Sequence, residues 1–313
     1  MVLPLTKASE LGEEVDRPRW LVEDIWLDEA VGVIGGEPKA CKTFMALELA
    51  VAVSSGRPFL RHYAVENPGL VLLYAAEDKP RAIRKRLSVI AGASGIDLAD
   101  CSIQVITVPS LKIDDDYHRT ELTDTVKTIK PRLLILDPFI RLHRKDENAA
   151  GEIGPLLAYL RALQKVSGAS VVVVHHARKR AGRERTGQSL RGSSEFHAWY
   201  DSCLYLTRTS KTTLRFDLEH RSEESQEGLR VNIVPKDDSL VLEIAPTTTE
   251  KEATATAVDE RIVEFLRSSD SPQSLNAIRD FCRVRKASVI EKLAELAASG
   301  ILAKQANGYL LTQ

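Results

Sequence analysis

Residues 35–43, GGEPKACKT, have the types and spacing needed to hold phosphate. In a G-x-x-x-x-G-K-[ST] loop, backbone N–H groups and a helix N-terminus surround phosphate oxygens, the Lys reaches the outer phosphates and the hydroxyl residue holds Mg²⁺. Here Gly36 opens the count after Gly35, Glu37, Pro38, Lys39 and Ala40 fill it, and Lys42 and Thr43 close it, with Cys41 where the pattern asks for glycine. A Cβ at that position costs roughly 1–2 kcal/mol if φ is positive, so slight strain is expected. Cys41 also stands at a helix N-terminus, where the dipole favours thiolate; fast alkylation, blocked by bound nucleotide, is expected of it.

Acids and histidines elsewhere complete the chemistry. Asp137, closing the run RLLILD, is the carboxylate expected to hold Mg²⁺, because a hard cation beside phosphates wants oxygen ligands. Glu77 is the candidate to orient and activate an attacking water, with Asp78 as its substitute; the competing role is a solvated strand-end acid capping the next helix. His175 or His176 can donate to a terminal phosphate or register its loss, against the plainer role of a packed, hydrogen-bonded ring. In ARKRAGRERTGQSLRGSS, Arg178, Lys179, Arg180, Arg183, Arg185 and Arg191 lie among glycines and small polar residues without apolar periodicity. The stretch reads as a mobile basic loop suited to phosphate contact, the alternative being merely solvated surface.

These residues need a scaffold that gathers them. Residues 31–36 form an apolar run that reads as a buried strand ending in a Gly-Gly turn, and FMALELAVAV reads as the helix after it. Further strands are expected at 70–75, 102–108, 132–137 and within ASVVVVHHAR, with helices at PRAIRKRLSVIAG, 122–129 and GEIGPLLAYLRALQKVSG. Helices alternating with β-branched runs specify an α/β fold, a mostly parallel sheet with helices on both faces, whose ligands sit at the carboxyl ends of the strands. That rule places the phosphate loop, Glu77-Asp78, Asp137 and His175-His176 at one site. Shorter strands at 201–208, 212–219, 229–234 and 240–244 read as an antiparallel extension.

Over roughly residues 19–245 the chain resembles a RecA-like P-loop ATPase, most similar to the branch containing plasmid RepA-type hexameric replicative helicases and KaiC-like ATPases. The resemblance rests on RWLVEDIWLDEAVGVIGGEPKACKT, LLYAAED, LLILDPFIRLHRKDEN, VVVVHHARK and LRGSSEFHAWYDSCLYL together. It implies ATP and Mg²⁺ as cofactors, a ring-shaped homo-oligomer such as a hexamer, and DNA, single-stranded, as partner. By the same resemblance Glu77 is the catalytic glutamate, Asp137 with Thr43 the Mg²⁺ site, and His175 or His176 the γ-phosphate sensor. Basic loops facing a central channel would fall near 143–148 and 178–191. Arg221 matches the arginine of a basic pair that reaches into the neighbouring subunit's ATP site, while Glu219 departs from the lysine; Arg191 and Arg208 compete for that role.

Residues 246–257, PTTTEKEATATA, lack apolar pattern and read as a linker between a core at 1–245 and a small domain at 258–313. In the small domain three short amphipathic segments precede ILAKQANGYLLTQ, whose Asn307-Gly308 signals a hairpin. Three helices and a hairpin resemble a winged helix, which would point Arg285, Lys286, Ser288 and Lys292 at DNA with Lys304 on the wing. Glu291 and Glu295 on the same helix keep docking of a protein partner open as well.

With 313 residues, 43% apolar and 28% charged, the chain has room for one sizeable α/β domain and a small one. A formal net charge of -1 excludes a whole-chain basic footprint, so any nucleic-acid contact is local. Cys41, Cys101, Cys203 and Cys282 show neither C-x-x-C nor Cys/His ligand spacing, which argues against structural zinc and disulfides and suits a reducing cytoplasm. No basic segment leads into an apolar core at the start, and no apolar run approaches the length of a membrane span, so a cytoplasmic protein is expected. The reading that follows is a Mg²⁺-dependent ATPase acting on DNA in plasmid or mobile-element replication or maintenance. Two rivals stay open. One is an ATP-gated DNA-binding or adaptor protein without unwinding, kept alive by Cys41; the other is a nucleotide-dependent interaction protein without nucleic-acid contact, supported by the near-neutral charge.

Overall fold

Strands that are apolar at every position, not at alternate ones, must be covered on both faces. The computed structural model, which describes residues 5–10, 19–147, 149–176, 193–245, 262–267, 269, 272–282, 286–305 and 308–312, shows how this chain covers them. A short hairpin of β1 (Trp20–Val22) and β2 (Trp26–Leu27) leads into β3 (Val31–Gly36), α1 (Lys42–Ser55), β4 (Val71–Ala75), α2 (Pro80–Ala93) and β5 (Ile103–Val105). Then come α3 (Asp116–Ile129), β6 (Leu133–Asp137), α4 (Ala150–Ser167), β7 (Ser170–His176), α5 (Ser193–Trp199) and β8 (Ser202–Arg208). Three strands finish this unit: β9 (Thr213–His220), β10 (Gln226–Lys236) and β11 (Ser239–Ile244). Among the described residues β3 to β11 make one nine-stranded sheet in the order β11-β10-β9-β8-β3-β7-β6-β4-β5.

The pairing corrects one expectation. β8 is not the start of an antiparallel extension: it runs parallel to β3, Gly32 opposite Ser202 and Gly36 opposite Leu206, and only β9, β10 and β11 alternate in direction. The physical reason is α5, a seven-residue helix before β8 that lets the chain cross over and re-enter the sheet in the same direction as β7. A second correction concerns Gly35 and Gly36, which are the last two residues of β3, paired with His175 and His176, and not the turn itself.

Side-chain parity divides the core. Ile34, Leu133, Ile135, Val172 and Val174 pack with α1 and α2 on one face, whereas Val31, Val33, Leu134, Leu136, Val171 and Val173 pack with α3, α4 and α5 on the other. Because β3 is central, even its glycines are fixed by neighbours. A Cβ on Gly32 would meet Ser202 O at 2.1 Å and the Trp26 ring at 2.6 Å, so the β1–β2 hairpin closes down on the start of β3 only because that side chain is absent. Gly36 has φ +152°, and its Cβ would meet Leu206 O at 2.4 Å.

The chain divides into two units, Met1–Ala245 and Pro246–Gln313. In the second, residues 262–267 are helical, helices Leu275–Cys282 and Lys286–Ala298 follow, and β12 (Leu302–Gln305) pairs antiparallel with β13 (Gly308–Leu311), Gln305 opposite Gly308. Ile262, Leu266, Ile278, Val289, Leu293 and Leu302 form its core. Arg178, Lys179, Arg180, Arg183, Arg185, Arg191, Arg285 and Asn307 lie outside the described residues; Lys286 opens the second of these helices. No described helix is long and apolar enough to cross a membrane.

Candidate active site

The phosphate loop, Glu77, Asp78, Asp137 and His176 lie at the carboxyl edge of β3, β4, β6 and β7. From Gly36 the chain turns through residues 37–41 into α1, with φ +66° at Lys39 and φ +58° at Cys41, the N-cap of the helix. The conformation that makes a Cβ costly is therefore present at Cys41, and its side chain makes no cap hydrogen bond. Replacing Cys41 by glycine is expected to stabilise the protein by about 1 kcal/mol and to preserve or raise ATP turnover. Calorimetry and steady-state hydrolysis measure the two effects; a large loss of turnover would mean that the thiol itself has a role. The thiolate expectation is corrected. Burial pushes the Cys41 thiol up from its ordinary value, outweighing the downward pull of Arg208 and Lys42 beside it.

Lys42, 6% exposed, folds its ammonium back into the loop and donates to Gly36 O at 3.0 Å and Glu37 O at 2.8 Å. Burial lowers its pKa to about 8 against the opposing pull of Asp137. Asp137 is also 6% exposed, and burial raises its carboxyl to about 6, partly offset by a hydrogen bond to the Thr43 side chain and by Lys42. Parity explains the meeting. Asp137 continues the side of β6 that carries Leu133 and Ile135, the face against which α1 and therefore Thr43 pack. Lys42, Thr43 and Asp137 line a cleft of ≈ 410 Å³ with Glu77, Asp78 and His176. The hydroxyl and carboxylate together are a hard-oxygen donor pair of the kind that suits Mg²⁺.

The two histidines part company. His176, in phase with Val172 and Val174, opens onto the cleft. His175 falls on the opposite face, 1% exposed, stacked on the Phe196 ring at 4.4 Å between centroids, with Nδ1 3.5 Å from Glu147 Oε1. Glu77 and Asp78 follow β4, and each acid meets an arginine: Glu77 Oε1 accepts from Arg141 Nε at 2.7 Å and Asp78 Oδ2 from Arg86 Nη1 at 2.6 Å.

Three arginines at the site escaped sequence reasoning as residues acting within their own subunit. Arg86 lies over the Phe44 ring at 5.0 Å and lines the cleft. Arg208, at the end of β8, donates to Lys39 O at 3.0 Å, 169 positions away, so only the parallel placement of β8 brings it to the loop. Arg141 follows β6 in a short 3₁₀ turn, Phe139–Leu142. Arg221 is elsewhere. It follows β9, whose last residue, His220, faces Ser202 at the amino end of β8, and its guanidinium binds Ala198 O and approaches Asp201 at 3.6 Å. Ser202 pairs with Gly32, so that edge lies four strand steps, roughly 13 Å, from Gly36 along β3. Of the expected channel loop at 143–148, His143 and Glu147 are buried, Arg144, Lys145 and Asp146 are exposed with Arg144 bound to Asp114 at 3.2 Å, and Asn148 lies outside the described residues.

Comparison with known proteins gives two findings. A family model described as an AAA domain matches residues 2–182. Among solved structures, that of a DnaB-like replicative helicase and its interactions with primase is similar, with a TM-score of 0.54 at 16% sequence identity over 68% of this chain. The match covers 59% of that chain, and at this identity the likeness is one of fold.

Proposed function

The chain belongs to the AAA domain family and has the fold of a RecA-like P-loop ATPase, and from that premise we propose that it hydrolyses ATP as an oligomer coupled to single-stranded DNA, in plasmid or mobile-element replication or maintenance. The observation that carries the chemistry is the convergence of Lys42, Thr43, Glu77, Asp137 and His176 from four strand ends on one cleft. Lys42 moves from its two carbonyls to the β/γ-phosphates, guided by the same positive charge. Glu77 orients a water for in-line attack and accepts its proton, as a carboxylate on the cleft wall can. His176, and not His175, is placed to donate to the γ-phosphate or register its loss, while His175 and Glu147 behind the same strand suit relaying that change. Thr43 and Asp137 would hold Mg²⁺, which when bound offsets phosphate charge.

Arg221 does not reach its own cleft from the opposite sheet edge, so any part it takes in hydrolysis is played in the site of a neighbouring subunit. Arg86 and Arg208 are the arginines that line the cleft in cis. The second unit has helices and a hairpin in the order of a winged helix, and is assigned duplex or partner docking, with Lys286 at the start of its longest described helix. The basic stretch 178–191 is assigned phosphate contact on the strength of its composition.

ATP hydrolysis with and without a single-stranded oligonucleotide, alongside mass by light scattering, tests the proposal. Glu77→Gln is expected to lower turnover by about 100-fold or more while sparing nucleotide binding. Full turnover in that variant would pass the water-activating role to Asp78, and a wild-type protein that hydrolyses nothing would overturn the enzyme reading. A slow ATP-gated switch is the second reading, favoured by one observation: Glu77 is held by Arg141.

A further inference from the structure

Helix α2 carries its charges against its own dipole. Its N-cap is Lys79 and its first turn holds Arg81 and no acid, although the positive end of a helix dipole favours anions. Elsewhere the chain obeys that preference: α3 begins at Asp115, whose carboxylate accepts from Tyr117 N and His118 N, continues with Asp116 and carries Lys127 in its last turn. Arg81, Arg84, Lys85 and Ser88, at i, i+3, i+4 and i+7, make one exposed stripe, while Ile83, Leu87, Ile90 and Ala91 are buried. Like charges at that spacing repel. Lys85 meets Asp238 Oδ2 at 3.3 Å, in a pair 51% and 92% exposed that water screens; Lys79, Arg81 and Arg84 have no carboxylate within 4 Å among the described residues. Arg86 differs, turning inward to Asp78 and the Phe44 ring, and among the described lining residues it is the one that α2 gives to the nucleotide cleft.

We propose that the exposed stripe of α2 is a contact surface for the phosphate backbone of nucleic acid, separate from the stretch 178–191 and indifferent to sequence. The inference rests on the reading of the chain as one that contacts nucleic acid, and it adds a second place of contact. Cations that repel one another and oppose the dipole weaken the free protein; a row of phosphates relieves both effects at once. Arg81 and Lys85 lie one turn apart, about 6 Å along the helix axis, so each can meet its own phosphate, and the guanidinium of Arg84 between them can take one bidentately. The make-up of the face selects this partner over others. A protein interface has an apolar centre, and a helix lying on a membrane sets Trp, Phe or Leu beside its cations. The exposed positions here are Pro80, Arg81, Arg84, Lys85 and Ser88, with no large apolar side chain and no aromatic or amide group to read a base.

Fluorescence anisotropy of a labelled thymidine oligonucleotide with the full chain, from about 0.1 to 1 M salt, tests the stripe. The α2 variant combines Arg81→Gln, Arg84→Gln and Lys85→Gln. A control combines Lys127→Gln, Lys130→Gln and Lys165→Gln, which removes the same exposed charge from α3, its C-cap and α4. Thermal melts and light scattering accompany each protein. Losing three phosphate contacts is expected to flatten the plot of log affinity against log salt by about two units, so the α2 variant should bind about 100-fold more weakly than wild type at 0.1 M salt and about equally at 1 M. Arg81→Lys with Arg84→Lys keeps the charges and should retain the wild-type slope, as should the control. Relieved of repulsion, the α2 variant should melt no lower than wild type; a lower melt alongside weaker binding makes the loss one of folding and overturns the proposal. Equal flattening in the control means that net charge and not the stripe is responsible, and overturns it too. A smaller assembly in the α2 variant gives the stripe to a second copy of the chain instead. Wild-type affinity and slope in the α2 variant sink the stripe alone and leave the contact at 178–191 standing, whereas a wild-type protein that binds no oligonucleotide at 0.1 M salt sinks both.

Discussion

Replacing Lys42 by alanine is expected to weaken ATP binding about 100- to 1,000-fold, the equivalent of losing two charge-assisted hydrogen bonds in a mostly buried site. The folded chain should tolerate the change, because the charge being removed is one that burial already penalises, as its pKa of about 8 records. Below pH 8 the folded state carries the charged, desolvated ammonium; as pH rises from 8 through the unfolded value of 10.5 it has already shed that proton, so this group's destabilisation is relieved with rising pH. Nucleotide binding works in the other direction. Phosphates favour the ammonium and raise its pKa, so binding takes up a proton above pH 8 and ATP affinity should fall there by up to about tenfold per pH unit. Fluorescent-nucleotide titration of wild type and Lys42→Ala between pH 7 and 9.5 measures both effects. An affinity that stays flat across that range in wild type would place the lysine outside the phosphate site.

What was legible in the sequence were the elements and the strand ends, because buried parallel strands announce themselves as unbroken aliphatic runs. Val31–Gly36, Leu133–Asp137 and Ser170–His176 sit within a residue or two of expectation. The strain at Cys41 was legible too, since the position in the loop implies the backbone angle. Choosing between His175 and His176 was not, because two adjacent histidines look identical until the strand's phase against α1 is known. Arg208 stayed hidden as a cis residue for a topological reason: its place beside Lys39 depends on β8 entering parallel to β3, and a run of short strands gave no sign of direction. Arg86 and Arg141 carry no signal of their own in the sequence, and their acceptors, Asp78 and Glu77, give them meaning. The thiol of Cys41 failed for a different reason, in that a helix dipole was weighed without the burial that accompanies a closed loop.

Replacing Asp137 by asparagine is expected to move stability and activity in opposite directions. The carboxyl group is 6% exposed and titrates near 6, up from 3.8, because burial disfavours its charge more than Thr43 and Lys42 favour it. A raised carboxyl pKa means that the folded chain holds a proton which the unfolded chain has lost between pH 3.8 and 6, so stability falls as pH rises through that window and stays lower above it. The shift corresponds to about 3 kcal/mol at neutral pH. Asparagine keeps the shape and an oxygen for the Thr43 hydroxyl but carries no charge, so nucleotide-free Asp137→Asn should melt higher than wild type at pH 7.5. The gain should be roughly 2–4 °C per kcal/mol recovered, and it should vanish toward pH 4. Hydrolysis should behave oppositely, falling about 100-fold or more, because asparagine offers Mg²⁺ a neutral oxygen in place of the charged one beside the phosphates. In wild type, protonation of metal-free Asp137 as pH drops below 6 should weaken Mg²⁺ binding, an effect the variant cannot show. Mg·ATP should therefore raise the melting temperature of wild type far more than that of Asp137→Asn, reversing their order. Melting curves at pH 4.5, 6 and 7.5, each with and without Mg·ATP, decide it. A variant that melts lower than wild type without nucleotide at pH 7.5 would mean that the carboxylate is a net structural support, and a variant with normal Mg²⁺-dependent turnover would move the metal site off β6.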